Sequence, residues 1–95
     1  MKPKLGRVVY TVYQNDITKN KVAFLGKESF ITDSYGGLFI DDSWEHYYDN
    51  YGHTWFTTLK DAKKYVMESL TEDEQKTVKW KAWSAGNYWE LIDKE

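Results

Sequence analysis

The alternation of apolar and polar positions divides the chain into short strands around one amphipathic helix. Arg7 to Gln14 (RVVYTVYQ) places Val8, Tyr10 and Val12 on one face and Val9, Thr11 and Tyr13 on the other. That period of two predicts a strand with cover on both faces. Asn15 to Asn20 (NDITKN) reads as a turn, because Asn and Asp side chains bond back to their own backbone. Lys21 to Leu25 is the returning strand, and Gly26 marks a bulge or the strand end. Ser29 to Thr32 and Leu38 to Asp41 read as a hairpin around Gly36-Gly37, which supply positive φ without steric cost.

Beyond Asp41 the period of two disappears. Asp41 to Phe56 (DDSWEHYYDNYGHTWF) reads as a long loop with room for one helical turn, and Thr54 to Thr57 as a short strand at its end. From Thr58 the period becomes helical. Leu59, Ala62, Val66 and Leu70 share one stripe, with Asp61, Lys64 and Glu68 opposite. Thr58 and Asp61 stand at capping-box spacing, and so do Thr71 and Glu74, which start a second short helical turn. Thr77 to Trp83 alternates again, Ser84 to Asn87 is a turn, and Tyr88 to Ile92 is the last strand.

These elements predict a single α+β domain over residues 1–95. It has a small antiparallel sheet of about five or six short strands, one amphipathic helix on one face and a C-terminal β-hairpin. One helical stripe cannot cover both sheet faces, so part of the aromatic surplus belongs on the other face or at an edge. A chain of 95 residues carries one core, and its 18% aromatic share lets few residues close it.

Composition narrows the chemistry. With no cysteine, a disulfide scaffold and a thiolate metal site are excluded, and a reducing cytoplasm is the simpler compartment. The N-terminal residues lack the apolar run of a signal peptide, and no segment is apolar enough to span a bilayer. Charge is unevenly spread. Glu28 to Leu59 holds six acids and no Lys or Arg, a window of −6 that leaves +4 for the rest of a chain whose total is −2. Such a window repels nucleic acid and attracts a basic partner.

The aromatic, acidic run holds both histidines. His46 and His53 stand seven apart among Asp41, Asp42, Glu45 and Asp49, a set able to hold a metal only if the loop folds back on itself. The spacing matches no helical metal motif, and no nucleophile elbow or phosphate loop is present. Trp44, Tyr47, Tyr48 and Tyr51 are of the types enriched at protein interfaces, and they are interrupted by polar residues. Trp55 or Phe56 is expected in the core beneath the helix start. The alternative is that the tyrosines also only wall the core.

The expected function is a non-enzymatic protein-binding domain. Asp41, Asp42, Trp44, Glu45, Tyr47, Tyr48, Asp49 and Tyr51 would meet a basic partner protein. A sharper form is a nucleic-acid mimic, of the inhibitor type that phages and mobile elements carry. One alternative is a small metal-dependent or acid–base hydrolase using His46, His53 and nearby carboxylates. Another is single-strand nucleic-acid binding by Trp80, Trp83, Tyr88 and Trp89, with Lys79 and Lys81, in the last hairpin. Cross-strand pairing explains those aromatics as well. The reading includes no cofactor, no metal and no membrane, with nucleic acid disfavoured as a direct ligand. It expects a monomer, or a homodimer through an unpaired edge strand.

Overall fold

The computed structural model describes residues 2–34, 44–83 and 85–94, with only the backbone described for Ser34 and Trp44. The elements are β1 (Val8–Tyr13), β2 (Asp16–Leu25), β3 (Ser29–Ser34), β4 (Trp44–Tyr47), a 3-10 turn (Tyr48–Asn50) and β5 (Trp55–Phe56). Then come α1 (Leu59–Glu68), α2 (Glu72–Thr77), β6 (Val78–Trp83) and β7 (Tyr88–Asp93). The fold is α+β, with seven strands in one mostly antiparallel sheet among the described residues.

The first hairpin is tighter than its sequence suggests. Gln14 and Asn15 both take positive φ (49° and 70°), and Tyr13 faces Asp16 directly across them. A two-residue turn with both φ positive matches the twist of the flanking strands. The turn expected over Asn15 to Asn20 is therefore corrected: Asp16 to Asn20 belong to β2. Their polar side chains are not solvated turn groups. Asp16, Thr18 and Asn20 share one strand face, and Ile17, on the other, is buried.

β2 is the spine of the sheet. β1 lies along one side of it. On the other side its first residues pair with β7 (Ile17 with Trp89, Thr18 with Tyr88) and its later residues with β3 (Asn20 with Ser34 through Leu25 with Phe30). The register shifts between Val22 and Phe24, a bulge that adds twist where the strand changes partner. Gly26 ends β2 and starts the turn into β3. Its N–H donates to the Ser29 carbonyl at 2.8 Å, and a Cβ there would stand 2.9 Å from that same oxygen. No larger residue fits without moving backbone.

The long loop expected after Asp41 is also corrected in part. Trp44–Tyr47 is a strand, paired antiparallel to β3 with Phe30 opposite His46. The strand expected over Leu38 to Asp41 lies outside the described residues. The main path runs β4-β3-β2-β1-β5, so β4 and β5 are its two ends. These ends meet: the Trp55 indole N–H donates to the Tyr47 carbonyl at 3.0 Å. The sheet is therefore curled, and each of its faces has its own core.

On the outer face, Ile17, Phe56 and Trp89 pack against Ala62 and Val66 of α1. The predicted stripe is correct at its centre, while Leu59 and Leu70 at its ends are half-buried. Thr58 caps α1 by accepting from the Asp61 N–H at 3.2 Å, and Thr71 and Glu74 complete a reciprocal capping box on α2. Hydrogen bonds from Thr71 to the Glu74 carboxyl, from its backbone N–H first and then from its side chain, hold that carboxyl below its ordinary pKa. On the inner face, Val9, Val22, Phe30 and Trp55 form a second core, with Leu25, Tyr48 and Tyr51 against it. The sequence offered one core under one helix. Curling supplies the second, because the sheet covers its own concave face.

No helix among the described residues is long and apolar enough to cross a membrane.

Candidate functional site

Among the described residues, curling leaves one end of the concave face unfilled. A cavity of about 370 Å³ lies there, within the range of small-ligand sites. Its floor follows from strand periodicity. Thr11 and Tyr13 of β1 lie opposite Thr18 and Asp16 of β2, and Tyr88 of β7 lies opposite Thr18 from the other side. Asn20 continues the row and is only 4% exposed. Its amide donates to Thr11 Oγ1 at 2.6 Å, and the Thr11 hydroxyl in turn donates to the Thr18 carbonyl at 3.4 Å. A buried amide without partners would be costly, so this network fixes the side chains of the floor.

The Tyr88 hydroxyl donates a short hydrogen bond to the Asp16 carboxylate. Burial, together with that bond and the negative charges of Asp16 and Glu90, pushes the Tyr88 phenol up to about 12. The phenol therefore stays protonated and keeps Asp16 oriented. Asp16 carries the one carboxylate among the described residues of the floor.

The wall opposite comes from β4. Tyr48 N–H bonds the Glu28 carbonyl at 3.0 Å, which makes every second residue back along β4 a hydrogen-bonded partner of β3. Glu45 and Tyr47 fall between these positions, so their main-chain groups point away from β3, and both residues border the cavity. His46 also lines it. Its ring is 9% exposed, lies 5.6 Å from the Phe30 ring, and has no partner for Nε2. Burial lowers its pKa from the ordinary 6.5 to about 4, so the ring is neutral at neutral pH. Asn50 and Thr54 complete this side, and the Thr54 hydroxyl is likewise buried without a partner. No Lys or Arg is found among the described lining residues.

The residues expected to form a contact surface are divided by the fold. Asp41 and Asp42 lie outside the described residues, and of Trp44 only the backbone is described. Tyr47 is 51% exposed at the cavity edge. Glu45 accepts from Ser29 Oγ at 2.5 Å, and Asp49 is exposed on the 3-10 turn. Tyr48 and Tyr51 are half-buried parts of the inner core. The Tyr48 ring stacks on Phe30 at 5.8 Å and its hydroxyl donates to the Gly26 carbonyl at 2.7 Å. Tyr51 lies against Trp55 at 4.8 Å. Both Trp55 and Phe56 are buried, one in each core.

The histidines are not brought together at the cavity. His53 is exposed, with its ring 6.0 Å from Tyr65 of α1, and it is not among the described residues that line the cavity. Among the described residues, no group of three His, Asp or Glu side chains is arranged to hold a metal ion. In the last hairpin, Trp89 is buried beneath α1, while Trp83 is exposed under the Lys81 ammonium at 3.9 Å.

Thr11, Asp16, Thr18 and Asn20 are cavity residues that the sequence reading missed, and Tyr88 entered it only in the nucleic-acid alternative for the last hairpin. The available signal was the alternation of Asp16, Thr18 and Asn20 with Ile17 and Lys19, which fits a strand with one polar face. Comparison with protein-family models, with curated proteins and with solved structures finds no match.

Proposed function

We propose that this protein is a non-enzymatic, cytoplasmic protein-binding domain whose acidic, tyrosine-bearing surface meets a basic partner protein. One observation carries the reading. The cavity holds the Asp16 carboxylate, is bordered by Glu45 and by the exposed Tyr13 and Tyr47, and has no basic residue among its described lining. Carboxylates attract a cationic surface over a distance, and tyrosines bury area on contact while keeping a polar hydroxyl. The contact surface is thus centred on the cavity and includes Glu45, Tyr47 and Asp49 of the acidic run. Tyr48 and Tyr51 act from behind it, by holding the segment in place.

The experiment is an amide NMR titration with a flexible peptide of alternating arginine and glycine, and with a glutamate–glycine counterpart. Saturable shifts at β1, β4 and the start of β2 with the basic peptide alone, weakening as salt is raised, support the reading. An equal response to both peptides, or none to either, removes it.

A further inference from the structure

The polar cavity is more specific than an acidic surface requires. Charge attraction alone needs only exposed carboxylates. Here Asp16 stands on a floor organised by partly buried hydrogen bonds, and Tyr88 occupies one of its oxygens. The remaining lone pairs of that carboxylate are acceptors. The buried His46 ring borders the cavity with a nitrogen that has no partner, but that atom is itself shut off from solvent, and a donor meets it only if the wall shifts. The Thr54 hydroxyl is unpaired and equally shut off from solvent.

The complementary ligand carries one positive charge and several donors, and needs no donors from the wall. A guanidinium has five N–H donors in a planar fork and no acceptor. An ammonium concentrates its charge on one strongly hydrated point and matches a spread of acceptors less well. The exposed ring of Tyr13 at the border suits the flat face of a guanidinium and the alkyl stem behind it.

We propose that the cavity beside Asp16, Tyr88 and His46 receives a single arginine side chain of the partner protein. This rests on the reading of the domain as a binder of basic proteins. The arginine enters between β1 and β4, and its guanidinium donates to Asp16.

The test uses N-acetyl-arginine methylamide as probe, with the citrulline and lysine counterparts, followed by amide NMR on the intact domain. The arginine probe is expected to shift Thr11, Thr18, Asn20 and Tyr88 together, in one saturable event. The uncharged citrulline probe is expected to produce no such event, and the lysine probe to bind at least several-fold more weakly. Asp16→Asn should weaken the arginine probe tenfold or more, with a dispersed spectrum confirming that it folds. Equal binding of arginine and citrulline probes, equal binding of arginine and lysine probes, or shifts confined to Glu45 and Asp49 would each overturn the proposal. The arginine–glycine peptide separates the two failures. If it binds Asp16→Asn as tightly as the parent protein, the cavity is not its anchor and the surface reading stands. If it binds neither protein, both are lost.

Discussion

His46 shows how the curled sheet changes the chemistry of one residue. In the sequence it resembles a ligand among carboxylates; in the fold it packs beside Phe30 and loses most of its hydration. Its pKa is about 4 folded, against an ordinary 6.5. Between these values the unfolded chain binds more protons than the folded one, so acid favours unfolding. The contribution is intact above about pH 6.5, declines as pH falls towards 4, and amounts to about 3 kcal/mol at most. Urea denaturation across that range should show this loss, and His46→Phe should flatten the curve relative to the parent. The two neighbouring tyrosines should separate in the same assay. Tyr48→Phe removes the bond to the Gly26 carbonyl and should cost about 1 kcal/mol, while Tyr47→Ala, at an exposed ring, should leave stability nearly unchanged.

At the scale of elements, α1 and the first hairpin show opposite relations to their sequences. α1 is locally consistent, with its cap, stripe and polar face all agreeing. Val66→Ala should therefore cost about 1–3 kcal/mol by lost burial and a partial cavity, read from the urea midpoint. The β1–β2 turn is locally suboptimal. Gln14 holds a φ of 49° that side-chain-bearing residues disfavour, and Asn15 holds 70°. Replacing the pair with Asn-Gly, the preferred residues for this geometry, should raise stability by about 0.5 kcal/mol or more. A fall in melting temperature would mean that Gln14 serves a contact beyond the turn.

For the whole molecule, the proposed function assigns charge and shape to different stages of binding. On that proposal the −6 window from Glu28 to Leu59 acts at long range, whereas the cavity acts only on contact. Neutralising Glu45 and Asp49 as Gln and Asn should slow association with a basic peptide and flatten its salt dependence, leaving dissociation little changed. Tyr47→Ala should do the reverse and mainly speed dissociation. Stopped-flow measurements at several salt concentrations would separate the two sets. Equal effects on both rates from both sets would mean that surface charge and contact surface are not distinct.

The sequence by itself determined the α+β class, the centre of the α1 stripe, both helix starts and the alternation of the outer strands. Each is set by residues within a few positions of one another, through periodicity and capping. The tertiary structure decided three further matters. It made Asp16 to Asn20 a strand, because a polar row is stable facing a polar cavity as well as facing water. It made Trp44–Tyr47 a strand, because β3 supplied partners for its backbone. And it divided the tyrosines, placing Tyr48 and Tyr51 against the inner core and Tyr47 at the edge, when Trp55 bonded back to the end of β4. Local pattern records which face of an element is apolar. It does not record which strand edges will meet, and that meeting created both the second core and the cavity beside it.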